Sequence, residues 1–171
     1  MNILQEMTPT MTLAGTALEL NLNPELRVPK REMPAEVAFA NLPGSLRWYL
    51  FYLNFYSPRR CGEESLSEHL NSGQSFFPLR DKDSNEFFIV HVDQILYVRE
   101  AAPEERKGGR PLGLHLQDGT VLIASLSEPR HAWRSRPLDL LNDAERFVSF
   151  GQDDHTRIHV NKRHIARVEG L

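Results

Sequence analysis

Large apolar positions alternate with small or polar ones, with a period of two, over VAFAN (37–41), and the same texture returns at LGLHLQ (112–117). Alternation of this kind, with short apolar runs bounded by Gly, Pro, Asn and Asp, marks half-buried strands. It predicts strands over 37–41, 46–56, 75–80, 87–92 and 95–99, and over 112–117, 120–126, 146–150, 156–160 and 165–169. Pro43-Gly44 and Asp118-Gly119 are turn pairs, and 81–85 and 152–155 are polar loops. Two segments, SLSEHL (65–70) and RPLDLL (136–141), have helical spacing. Ser65 and Glu68 fit a capping box, and Pro137 is acceptable in a first helical turn, where its missing N–H has no partner. Asn71 and Asn142 are each placed to end a helix in a left-handed conformation.

The blocks recur in the same order. VAFANLPG (37–44) lies over LGLHLQDG (112–119), SLSEHL over RPLDLL, LNSGQSFFPL (70–79) over LNDAERFVSF (141–150), and VHVDQILYV (90–98) over VNKRHIARV (160–168). The offset drifts from 75 to 71 to 70, as small changes in loop length would produce. The expected fold is therefore mainly β: an internal duplication of a five-stranded small-barrel unit, each with one short helix, plus an extended N-terminal arm. The corresponding segments are an arm at 1–36, a first barrel-like repeat at 37–100, a linker at 101–111 and a second repeat at 112–171. Units of about sixty residues are marginal alone, so the two should pack together, about a pseudo-two-fold axis. The competing architecture is one mixed β-sandwich with a shared core.

Composition narrows the function classes. The 171 residues are 40% hydrophobic and 25% charged with net charge −3, an ordinary globular mixture. No apolar run reaches the roughly 20 residues of a membrane span, and the first twenty residues lack a basic, apolar secretory pattern. A single cysteine, Cys61, fits a reducing compartment, so the expected location is cytoplasmic. Residues 112–171 balance eight basic against eight acidic groups and hold five of the seven histidines. Bulk charge therefore opposes a strong nucleic-acid binder, and the C-terminal third leaves a weaker possibility.

Leu114, Leu116, Asp118 and Gly119, together with Asn161 through Val168, resemble the Sm-like and SH3-like small barrels, in a tandem bacterial form. The resemblance implies architecture only. The Sm family places its helix before the first strand, whereas here a helix interrupts the unit. A second resemblance, to the LytTR DNA-binding domain over 88–171, rests on ILYV (95–98), HLQDG (115–119), ASL (124–126) and RIHVN (157–161). Val160 and Asn161 interrupt that family's Arg-x-His-Arg-Ser run.

LRWYLFYLNFYSPRR (46–60) is the most unusual stretch. Its aromatics suit either a strand buried on both faces or a partner surface. The candidate partner-binding residues are Trp48, Phe51, Tyr52, Phe55, Arg59 and Arg60. Arg130, Trp133, Arg134, Arg136, Lys162 and Arg163 are the candidates for a nucleic-acid face, through phosphate contacts. His155, His159 and His164 resemble a metal pattern, but on a strand the first two lie about 13 Å apart. Solvated histidines and no metal are expected. Cys61 beside Arg59 and Arg60 lacks an identifiable base, and no P-loop, Rossmann, zincin or nucleophile-elbow motif is present. The expected protein is a non-enzymatic binding and assembly module without cofactor, meeting a protein partner or itself. A nucleic-acid-binding regulator is the alternative.

Overall fold

A computed structural model describes residues 29–42, 44–102, 110–126, 137–153 and 155–170. The chain is mainly β, with ten strands and two short helices among these residues. The strands are β1 (Lys30–Phe39), β2 (Leu46–Asn54), β3 (Phe76–Asp81), β4 (Phe87–His91) and β5 (Ile95–Ala101), then β6 (Pro111–Leu116), β7 (Val121–Leu126), β8 (Phe147–Gly151), β9 (Thr156–Asn161) and β10 (Ile165–Gly170). Helix α1 (Leu66–Leu70) precedes β3 and α2 (Pro137–Leu141) precedes β8. No helix among the described residues is long and apolar enough to cross a membrane.

All ten strands join one antiparallel sheet in the order β10-β6-β7-β8-β9-β5-β1-β2-β3-β4. Among the described residues the ladder does not close, so β4 and β10 are its two ends. The first five strands stand in the order β5-β1-β2-β3-β4 and the last five in the order β10-β6-β7-β8-β9. The two halves are joined where β5 pairs with β9, from Tyr97↔Val160 to Ala101↔Thr156.

This seam explains the apolar run ILYV. Residues 95–98 are all buried because the strand feeds two cores, Ile95 and Val98 entering one and Leu96 and Tyr97 the other. Val98, with Val37 and Phe39 of β1, joins a first cluster that includes Phe51, Leu53, Phe77 and Leu79. Leu96 and Tyr97, with Ala38, join a second cluster that includes Leu114, Phe150, Ile158 and Val160. β8 is divided in the same way, with Phe147 in the first cluster and Phe150 in the second.

Local chemistry sets the turns and caps. Gly44 and Gly119 take φ of +77° and +90°, a region that glycine enters without steric cost. Ser65 and Glu68 form the expected capping box on α1. Asn71 departs from expectation: at φ −100° and ψ 18° it is not left-handed. Its amide instead bonds the backbone of Phe147, donating to the carbonyl at 3.0 Å and accepting from the N–H at 2.8 Å. A tertiary tie has replaced a local cap.

Lys30–Glu36, assigned from sequence to the arm, belong to β1. Pro34 had suggested an extended lead-in. It is accommodated because the β1–β5 register ends at Glu36, leaving β1 paired only with β2 beyond that point. Residues 1–28 of the arm, and 103–109 of the linker, lie outside the described residues.

Candidate functional site

The β2 strand presents two different faces. Tyr49, Phe51 and Leu53 point into the first core, and Phe51 is fully buried, so it belongs to the core and is unavailable to a partner. Trp48 and Phe55 are exposed, and the Tyr52 ring lies 6.2 Å from that of Phe87 on β4. Arg59 and Arg60 are turned toward α1: Arg59 donates to the Asn71 carbonyl and Arg60 pairs with Glu68 at 3.1 Å. The aromatic strand is thus part core and part surface, and its surface part leads to β4.

β4 is the unexpected element. It carries FFIVH, and Phe87 and Ile89 are 58% and 71% exposed, with Phe88 also open. Phe76, opposite His91 on β3, is also exposed and stacks edge-on against that imidazole at 4.8 Å. An end strand with this composition offers both unpaired backbone groups and apolar side chains, which proteins ordinarily cover. Beside it opens a groove of about 600 Å³, whose walls include Phe39, Tyr49, Phe88 and Val90 and whose rim includes Asp81 and Glu86. Amides of Ser84 and Asp83 bond the Asp81 carboxylate and hold it below its ordinary range, despite partial desolvation. Four consecutive apolar residues at 87–90, where 157–160 reads RIHV, were the sequence signal of this surface.

The histidines separate. His155 is exposed, His164 is half-buried with Nε2 2.7 Å from the Asp93 carbonyl, and His159 is fully buried, contrary to the solvated expectation. His159 Nδ1 lies 2.8 Å from Ser149 Oγ and Nε2 lies 2.9 Å from Glu100 Oε1. Ser67 Oγ of α1 lies 3.2 Å from Ser149 Oγ. The order Ser–His–Glu is that of a hydrolase triad, but the ring is sealed at the seam and the serine hydroxyl faces α1. The network ties four elements together and satisfies buried polar groups.

The basic candidates divide. Arg130, Trp133, Arg134 and Arg136 lie outside the described residues. Lys162 donates to the carbonyls of Leu140 and Asp143, and burial lowers its ammonium pKa against the opposing charges of Asp143 and Glu145. Arg163 pairs with Asp93 across the seam. Both cations therefore have partners within the chain. Cys61 is exposed.

Comparisons with protein-family models, with curated proteins and with solved structures find no match for this chain.

Proposed function

We propose that this chain is a non-enzymatic protein-binding and assembly module built from two copies of one five-stranded unit, and that its binding surface is the β4 edge with the adjoining face of β3. The carrying observation is the exposure of Phe87, Phe88 and Ile89 on an end strand of the sheet.

Three features support duplication. Each half has the same strand order. Each last strand carries one extra residue against its partner at the matching place, Leu96 in β5 and Ala166 in β10. Each half also has a 3-10 turn before its last strand, Val92–Gln94 and Lys162–His164, capped by the side chain of His91 or Asn161. These registers align Val37 with Leu114, an offset of 77 in place of the 75 read from sequence, with a shorter β6–β7 turn making up the difference.

A binding role follows from the edge and from the engagement of the polar clusters. The buried Ser149–His159–Glu100 chain serves the seam, while Lys162 and Arg163 serve their own chain, which weakens the nucleic-acid reading. The test replaces Ile89 with Lys and compares far-ultraviolet circular dichroism, solubility and association. Unchanged fold with lost association supports the reading. Association unchanged in the Ile89→Lys and Phe87→Lys proteins would remove it.

A further inference from the structure

We infer that the occupant of the β4 edge is the β10 edge of a second copy of this chain, so that copies join head to tail by repeating the β5–β9 seam. The inference rests on the assembly reading above and names its partner.

The seam already joins the fourth strand of one half to the fifth strand of the other. That pairing uses β9 and β5 and leaves each of their structural counterparts, β4 and β10, with one open edge among the described residues. Shifting the seam register by the 70 residues that separate the 3-10 turns pairs Ile89 with Val168 and Val90 with Arg167.

The surfaces flanking these edges differ from the seam in the way that an open copy of it should. Phe147 begins β8 and is fully buried under the other half, whereas Phe76 begins β3 and is 56% exposed. The seam places Ser67 of α1 over Ser149 and His159. The corresponding positions at the open ends are Leu138, Pro78 and Ile89. A polar cluster at the closed seam is matched by an apolar set at the open one, and Leu138 and Ile89 are 64% and 71% exposed. Such residues gain by being brought together.

Charge agrees. Leu96 and Tyr97 of the first half fill the second half's core. Their counterparts on β10, Ala166 and Arg167, are exposed, and the groove they would enter is lined by the carboxylates of Asp81, Asp83 and Glu86, which outnumber its basic groups, Arg47 and His91. Asp93 and Arg163 also occupy the same position of their two 3-10 turns. They pair across the seam, and the same two residues would meet between copies, giving an alternating line of acid and base. A head-to-tail contact of this kind propagates, closing into a ring where its rotation allows.

The test uses two variants of the full chain. Ile89→Lys blocks β4 and leaves β10 intact, whereas Ala166→Asp with Arg167→Glu blocks β10 and leaves β4 intact. All three positions are exposed, so both proteins should fold. By size exclusion with light scattering the wild type should be a whole multiple of 19.7 kDa above one. Each variant alone should be a monomer. Their equimolar mixture should form a species of twice 19.7 kDa and nothing larger, because one live β4 meets one live β10.

If the β10 variant associates by itself while Ile89→Lys does not, β4 meets its own kind. That outcome overturns the inference and leaves the binding reading in place. A monomeric wild type also overturns it, and the binding reading then stands only if a stoichiometric protein partner is lost on Ile89→Lys.

Discussion

Glu100 Oε1 lies 2.9 Å from His159 Nε2, linking β5 to β9, the one strand pair that joins the two halves of the sheet among the described residues. His159 has no exposure, and its other nitrogen is 2.8 Å from Ser149. Hydrogen bonds to charged groups contribute about 1.5–3 kcal/mol, and a buried acceptor left short of a partner costs about as much. His159→Ala should therefore lower unfolding stability by about 2–4 kcal/mol. Exposed His155→Ala should stay within about 0.5 kcal/mol. Urea denaturation with unchanged slope checks both values, and equal small effects would remove the structural role assigned to the seam histidine.

Two aromatics three residues apart should separate core from surface. Phe51 is fully buried in the first cluster, and truncation of such a ring costs about 3–5 kcal/mol. Phe51→Ala should show that loss by thermal or urea denaturation. Trp48 is exposed, with Lys82 Nζ 5.3 Å from its ring centre. Trp48→Ser should cost less than about 1 kcal/mol.

Acid should weaken the first half through His69. Burial lowers the pKa of this imidazole, and Lys30 adds to the effect, while Glu64, 3.6 Å away, opposes it. Its ring packs against Phe51 and Phe77. Because the folded-state value is depressed, the unfolded chain takes up the proton first as pH falls. Stability is fully present above the unfolded value of about 6.5 and declines as pH drops through the folded value. Urea titrations at pH 7.5, 6.5 and 5.5 should show a steeper decline for the wild type than for His69→Gln. Parallel declines would assign the acid sensitivity elsewhere.

Much of the β framework was legible because period-two alternation and turn residues are local signals. The ten expected strands match the observed ones closely, with β1 extended back to Lys30 through a proline. Such a proline is tolerated only because β5 does not reach it, a fact of strand pairing that no local pattern contains. The continuous sheet was likewise hidden, since two barrel-like units and one shared ladder have the same strands and differ in whether β5 finds β9. Site residues divided for the same reason. The aromatic density of β2 was visible, but only the register with β1 and β3 sends Phe51 inward and leaves Tyr52 beside Phe87. His159 read as a surface residue because the residues sharing its strand face, Arg157 and Asn161, are charged or polar, and its partner from the other half, Glu100, lies 59 residues earlier in the chain.

The helix-ending asparagines provide a last prediction, in which stability and association should part. Asn71 exchanges two hydrogen bonds with the backbone of Phe147, across the seam. Asn71→Ala removes both and should lower the unfolding midpoint at every protein concentration, by the equivalent of about 1–3 kcal/mol. Asn142 ends α2 at the place that Asn71 holds after α1, but it is exposed. In a head-to-tail assembly its amide meets the backbone of Phe76 in the next copy. Asn142→Ala should then leave the midpoint unchanged in dilute solution, where copies are apart, and lower it only at concentrations that support association. Thermal melts of both variants over a hundredfold range of concentration make the comparison. A concentration-independent loss at Asn142 equal to that at Asn71 would mean that it serves the fold alone, and would take that contact out of the proposed interface.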